Sequence, residues 1–178
     1  MRKGLLISLI IIGSLVIIAL VVSLIIVILF LIPPSKTGLQ NDLRRNEELF
    51  VELVEFFKTS QYENLSVRLD TTYSDGRITA FSNDSLEGGF VIGEVMLDED
   101  ILYKFEYLFN NLNYRRVEKQ SNYIEFHRWS NRQKSTGILY VFDGDRPINH
   151  ETRIFTRLDE LHLPNWFYYE DQHRATRR

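Results

Sequence analysis

The chain has 178 residues, no cysteine and a formal net charge of −3, with 44% hydrophobic and 25% charged residues. These proportions exclude a disordered chain, and the lack of cysteine excludes a disulfide-stabilised scaffold. The charge is unevenly placed, because all 24 acidic residues and 18 of the 21 basic residues follow Gly38. A single apolar stretch before the charged part excludes both a plain cytosolic protein and a protein with many membrane spans.

The apolar stretch covers 5–32, which is 28 residues without a charge, proline, asparagine or glutamine. A helix needs about 20 apolar residues to cross a bilayer, so the pattern predicts a transmembrane helix that contacts lipid along 5–32. It begins after a short basic segment, 1–4, and stops at Pro33-Pro34. A cleaved signal peptide has an apolar region of only about 7–15 residues and a small-residue cleavage site. We therefore expect an uncleaved anchor.

The basic residues that flank the span predict its orientation. Arg2 and Lys3 lie immediately before it, whereas Lys36 follows it closely. Because cytoplasmic flanks carry the excess of Lys and Arg, we expect a single-pass protein of the cell membrane with a cytoplasmic N-terminus and its domain outside. Small residues along the helix leave two alternatives open, a homodimer contact and a lipid-facing surface; they are Gly4, Ser8, Ala19 and Ser23.

After a predicted linker at 33–38, the extramembrane domain is expected over 39–172. Its first part predicts a helix with an apolar stripe formed by Leu39, Leu43, Phe50, Leu53, Val54 and Phe57. Alternating apolar and polar residues then predict a hairpin from 65–69 and 78–81, followed by a third strand at 90–96.

The second half of the domain repeats this order of elements. Asp98 is expected to cap a helix whose first turn holds Glu99 and Asp100 and whose apolar stripe runs from Ile101 to Leu112. A second hairpin is predicted from 114–119 and 123–129, followed by a strand at 136–142.

The C-terminal part is less regular, with a short helix predicted at 156–161, a last strand at 166–169 and a basic tail at 173–178. The fold class is therefore α+β, with a mostly antiparallel sheet and two main helices. The five-residue interval from Phe57 to Tyr62 recurs between Phe109 and Tyr114, and this recurrence suggests an αβββ duplication.

The sequence contains no recognisable set of catalytic or metal-binding residues. It lacks G-x-S-x-G, S-x-x-K and phosphate-loop motifs, and it has no thiol nucleophile. The histidines lack the close spacing of a zinc site; they are His127, His150, His162 and His173. We interpret Asp143-Gly144-Asp145 as a turn rather than a calcium loop. No catalytic residue, cofactor or metal is therefore predicted.

Charge and aromatic residues indicate where the domain contacts a partner. Residues 84–106 carry seven acids and one base, whereas residues 114–134 carry six bases and two acids. The predicted contact residues are Arg115, Arg128, Arg132, Trp129, Trp166 and Tyr168. The alternatives are strand faces that compensate each other and aromatic rings buried in the core. Because acids outnumber bases beyond Gly38, the domain is not expected to bind nucleic acid.

The leading functional hypothesis is a non-catalytic protein-interaction module, anchored in the membrane and contacting another membrane or envelope protein. One alternative is a small-molecule or glycan-binding module in which Trp129, Trp166 and Tyr168 stack on the ligand. The other is a hydrolase that pairs Glu94 or Glu125 with Asp143.

Overall fold

The computed structural model describes residues 13–24, 33–70, 77–86, 89–131, 134–142 and 153–173. The chain divides into two compact units, Met1–Pro33 and Pro34–Arg178. The first unit contains a helix at 13–24, named α1. Of the helices in the described ranges, none has both the length and the apolar character that a bilayer crossing requires.

The second unit has an α+β fold, which confirms the predicted class. Its helices are α2 (Lys36–Arg45), α3 (Glu47–Thr59) and α4 (Glu99–Asn110). Its strands are β1 (Leu65–Asp70), β2 (Arg77–Leu86), β3 (Gly89–Glu94), β4 (Arg116–Lys119), β5 (Tyr123–Ser130), β6 (Lys134–Val141), β7 (Arg153–Glu160) and β8 (Trp166–His173). They form one sheet in the order β3-β2-β1-β4-β5-β6-β8-β7, and every neighbouring pair is antiparallel.

The N-terminal helix of the domain differs from the prediction in two ways. It begins within the predicted linker 33–38, because Ser35 caps α2 by accepting a hydrogen bond from the backbone N–H of Gly38 at 3.1 Å. It also breaks at Asn46, whose side-chain amide donates to the carbonyl oxygen of Asp42 at 2.9 Å. The amide satisfies a carbonyl at the end of α2, and a new helix starts at Glu47.

The short helix predicted at 156–161 is wrong, because these residues mostly belong to β7, which pairs with β8. A β-bulge shifts the register between Phe155 and Arg157. The extra residue lets Phe155 and Leu158, three positions apart, pack into the same apolar cluster. A spacing of three is typical of a helix, which explains the error.

The main core lies between α2–α4 and one face of the sheet, and a smaller apolar cluster lies on the other face. The aromatic run of β8 contributes to both, as expected for alternating strand residues. Trp166 and Tyr168 pack in the main core, while Phe167 and Tyr169 pack in the smaller cluster.

Several predicted features lie outside the described residues. They are most of the span 5–32 beyond α1, Arg132, the Asp143-Gly144-Asp145 turn, His150 and the tail beyond His173.

Candidate functional site

Three of the four exposed large apolar side chains described in the second unit lie on α4 or just before it, and the fourth, Val51, lies on α3. Tyr103 and Tyr107 lie one turn apart on this helix and are 67% and 38% exposed, and Met96, just before the helix, is 95% exposed. The opposite side of α4 buries Phe105 and Phe109 in the main core. We name Met96, Tyr103 and Tyr107 the α4 surface.

Helix α4 and its neighbour α3 carry an excess of negative charge. Helices α3 and α4 together contain seven carboxylates and two lysines. Lys104 bridges the helices, since its Nζ lies 3.2 Å from a Glu52 carboxylate oxygen and 2.5 Å from one of Asp100. The hydrogen bond to Asp100 raises the pKa of Lys104, so this lysine stays charged and paired with the carboxylates of Asp100 and Glu52. The remaining carboxylates leave the two helices with an excess of negative charge.

An open cleft of about 360 Å³ lies beside the α4 surface, between α4, β2 and the segment that follows β3. Its apolar lining residues are Ile78, Ala80, Val95, Met96, Leu97 and Leu102. Its polar lining includes Glu106, Asn110 and the ion pair of Arg77 with Glu94, whose atoms Nη2 and Oε1 are 3.3 Å apart. The volume is near the lower end for small-molecule sites.

A buried polar cluster lies on the face of the sheet that carries the smaller apolar cluster, opposite the face covered by the helices. Glu125 and Tyr169 are fully buried and His127 is 5% exposed. The hydroxyl of Tyr169 donates to Oε1 of Glu125, and Nδ1 of His127 lies 3.3 Å from that oxygen and 3.2 Å from the Tyr169 hydroxyl. From the sequence, Glu125 is only a candidate hydrolase acid. The alternation of Tyr123, Glu125 and His127 places all three on one face, but Tyr169 is far away in sequence.

The polar side chains of the buried cluster hydrogen-bond to one another and are not exposed to a substrate. A carboxylate, a hydroxyl and an imidazole hydrogen-bond to one another with almost no solvent contact, which is the arrangement that buried polar side chains require. Among the residues that the structure describes, no group of three or more His, Cys, Asp or Glu side chains could hold a metal ion.

Glu94 and Glu125, the two alternative partners of Asp143 in the hydrolase hypothesis, lie far apart. Glu94 is exposed on β3 and Glu125 is buried on β5, and three strands separate them in the sheet. At about 4.8 Å per strand spacing, they are roughly 19 Å apart. Asp143 lies outside the described ranges, so the pairing of either acid with it stays a prediction.

The prediction of an exposed stacking surface is wrong for two of its three rings. Trp166 and Tyr168 are each 3% exposed. Trp166 packs edge-to-face on Phe50 at 5.8 Å between ring centroids, and the Tyr168 hydroxyl donates to Glu170 at 2.7 Å. Burial, and then the hydrogen bond to Glu170, raise the pKa of Tyr168. The third ring, Trp129, is half-buried where β5 is irregular.

The predicted arginine contacts do not form one basic surface. Arg115 is exposed before β4, whereas Arg128 reaches α2, where its Nη1 lies 3.3 Å from Oδ2 of Asp42. The Arg128 guanidinium also lies 5.1 Å from the ring centroid of Tyr114. Burial raises the pKa of Asp42 more than Arg128 lowers it. The Asp42–Arg128 contact joins α2 to β5.

No known family model matches the chain, and no curated protein and no solved structure is significantly similar to it. We therefore infer the function from three features of the molecule: the α4 surface, the adjacent cleft and the apolar N-terminal segment.

Proposed function

We propose that the protein is a single-pass, membrane-anchored interaction module whose α4 surface binds a basic segment of another membrane or envelope protein. The observation that carries this proposal is the exposure of Tyr103, Tyr107 and Met96 among the carboxylates of α3 and α4.

The anchor is supported by the composition of 5–32 and by the state of α1. Every described residue of α1 is exposed, including leucines, isoleucines and valines. Each large aliphatic side chain left in water forgoes about 1.5–3 kcal/mol of burial free energy. A lipid environment would remove this penalty. The basic residues Arg2 and Lys3 favour a cytoplasmic N-terminus and a domain on the outer side.

The chemistry of the α4 surface favours a cationic partner. Tyrosine rings attract Lys and Arg through their faces, and the surrounding carboxylates strengthen this attraction. Tyrosine is also enriched among the residues that dominate binding energy at protein interfaces. Met96 adds a flexible apolar contact that adapts to different side chains. The expected partner segment therefore combines Lys or Arg with apolar residues.

The proposal can be tested by photo-crosslinking in intact membranes. A photoreactive residue at position 103 is expected to form an adduct with a partner protein, and the crosslinked peptide is expected to be rich in Lys or Arg. The matched control is the same residue at position 156, which is exposed on β7 at the far edge of the sheet. High salt should reduce the adduct, because exposed charges are screened.

Substitutions at the two tyrosines measure what the rings contribute to binding, separately from the contribution of the carboxylates. Tyr103→Ala and Tyr107→Ala are each expected to weaken binding about 5- to 30-fold, whereas Tyr103→Phe keeps the ring and most of the affinity. An adduct no stronger at position 103 than at position 156, or binding that survives the loss of both rings, would contradict the proposal.

The cleft beside α4 favours a second candidate, the binding of a small molecule with an apolar body and a cationic group near Glu106. Leu102→Trp would fill this cleft while leaving Tyr103 and Tyr107 in place. A small apolar amine that binds the natural chain but not Leu102→Trp would favour the cleft as a small-molecule site, and no binding of such an amine to the natural chain would favour the α4 surface alone.

We also propose that the domain arose by an αβββ duplication. The order β3-β2-β1-β4-β5-β6 is symmetric about the antiparallel pair of β1 and β4. Ser66 and Glu118 face each other in this pair and are 52 residues apart, the interval that also separates Phe57 from Phe109 and Tyr62 from Tyr114. The hairpin of β7 and β8 adds to the second half.

A further inference from the structure

The two edges of the sheet differ in how they are protected from pairing. The edge strand β7 carries charges at Arg153, Arg157, Asp159 and Glu160, and it contains a β-bulge. Charges and bulges are the usual devices that prevent an edge strand from pairing with another chain. The opposite edge strand, β3, has the sequence GFVIGE, with its single charge at the last residue, and it pairs with β2 without a register shift.

The open side of β3 presents a defined set of backbone groups. The N–H of Val95 donates to the carbonyl of Ala80 at 2.8 Å, so residues 80 and 95 form a hydrogen-bonded pair. Such pairs alternate with non-hydrogen-bonded pairs along an antiparallel ladder. Residues 90, 92 and 94 therefore belong to the non-hydrogen-bonded pairs with β2. Their N–H and C=O groups point away from β2, toward the edge. Within the described ranges, β2 is the sole strand neighbour of β3.

We propose that two copies of this chain pair through β3, antiparallel and with the two-fold axis at Ile92, to form one sheet that continues across both copies. In this register, residue 92 of one copy lies opposite residue 92 of the other copy. Residue 90 of each copy lies opposite residue 94 of the other. Each backbone N–H and C=O group on the open side of β3 then pairs with a group on β3 of the second copy. Glu94 lies opposite Phe90 rather than a second glutamate, so the pairing brings no like charges together.

A second copy fits this edge better than an unrelated strand for two reasons. The contact is self-complementary in hydrogen bonding and opposes no like charges, and a two-fold contact closes on itself instead of growing into a fibre. The edge strand β7 cannot substitute for β3, because its bulge interrupts the ladder. This contact goes beyond the proposed function, since it uses the edge of the sheet and not the α4 surface.

Single-cysteine variants of the full chain test the pairing, because the natural chain has no cysteine. Directly opposed residues of a hydrogen-bonded pair have Cα atoms about 5.5 Å apart, which suits a disulfide. Ile92→Cys is therefore expected to form a disulfide-linked dimer on mild oxidation, in membranes and in detergent. Val91→Cys is expected to crosslink much less, because residue 91 faces Gly93 in this register. Thr156→Cys on β7 is the control and should remain monomeric.

Ile92→Lys tests the same contact without oxidation, because it places two ammonium groups opposite each other at the axis. The detergent-corrected mass from light scattering is expected to halve relative to the natural chain, with an unchanged circular dichroism spectrum. Crosslinking from position 103 to the partner should persist, so failure of the dimer and failure of the proposed function are distinguishable. A monomeric natural chain, an Ile92→Lys dimer, or crosslinking at 91 without crosslinking at 92 would overturn the proposal.

Discussion

The backbone of Gly137 lies directly against the ring of Tyr169. A Cβ added at Gly137 would lie 2.1 Å from the carbonyl oxygen of Phe126 and 2.9 Å from Cε1 of Tyr169. The first contact is with a neighbouring strand's backbone, which cannot move without disturbing the pairing of β5 and β6. Glycine at this position thus lets Tyr169 cross β6 and reach Glu125.

Gly137→Ala is expected to lower the free energy of unfolding by about 2–3 kcal/mol, because the added methyl group overpacks a site without space. Urea unfolding of the full chain in detergent measures this change. The matched control is Gly38→Ala in α2, where the nearest atom to the new Cβ is the Ser35 hydroxyl at 3.4 Å. That variant should be stabilised by roughly 0.5–1 kcal/mol, since alanine favours helix. Equal effects at both glycines would contradict the close approach at Gly137.

Tyr169→Phe removes the hydroxyl that donates to Glu125 and leaves a buried acceptor without this donor. The expected loss of stability is about 1–3 kcal/mol. Tyr103→Phe, at an exposed tyrosine, should change stability by less than about 0.5 kcal/mol. A double-mutant cycle with Glu125→Gln should show coupling between the two positions, and strictly additive effects would mean that the hydrogen bond contributes nothing to folding.

The ion pair of Asp42 and Arg128 predicts a specific dependence on pH. Burial raises the pKa of Asp42 above its usual value of 3.8, despite the opposing effect of Arg128. Because the folded-state pKa is the higher one, protonated Asp42 favours folding. This contribution is complete below the unfolded pKa and is lost as the pH rises through the folded pKa. Asp42→Asn should therefore gain stability relative to the natural chain as the pH rises from about 3 to about 7.

Urea unfolding at acid and neutral pH checks this sign. Asparagine keeps the backbone carbonyl that accepts from Asn46, so the end of α2 should be preserved. Arg128→Met should instead destabilise the protein most at neutral pH, because Asp42 is then ionised without its partner. If Asp42→Asn lost more stability at neutral pH than in acid, attraction to Arg128 would outweigh burial.

The orientation of the domain can be measured by labelling single cysteines. Thr156→Cys is expected to react with a membrane-impermeant maleimide in intact cells, since Thr156 is exposed on β7 and the domain is proposed to lie outside. Gly4→Cys should react only after the membrane is opened. The reverse pattern would place the domain in the cytoplasm and would contradict the application of the positive-inside rule to Arg2 and Lys3.

Much of the sheet could be predicted from the sequence, because a period of two is visible locally. The hairpin of β1 and β2 and that of β4 and β5 are confirmed, with Val67 opposite Ala80 and Val117 opposite Phe126. The break at Asn46 was missed, because the apolar stripe continues on both sides of it. The β7 strand was missed because its bulge changes the apparent period from two to three.

The candidate site was harder to predict, because it depends on which surfaces remain uncovered. The sequence shows that Trp166 and Tyr168 share one face, but it does not show that three helices cover that face. Tyr103 and Tyr107 could have been found, since they lie off the apolar stripe of a predicted helix. The cluster of Glu125 and Tyr169 joins residues 44 positions apart, and local patterns carry no signal of such a contact.

The most direct test of the account is whether the bilayer holds the chain through 5–32. Membranes from cells that produce the full chain are washed with alkaline carbonate, and the pellet and supernatant are probed for full-length protein. The account predicts intact protein in the pellet that only detergent releases, and release of a variant that carries several lysines within 5–32. Intact or trimmed natural protein in the aqueous supernatant would contradict it.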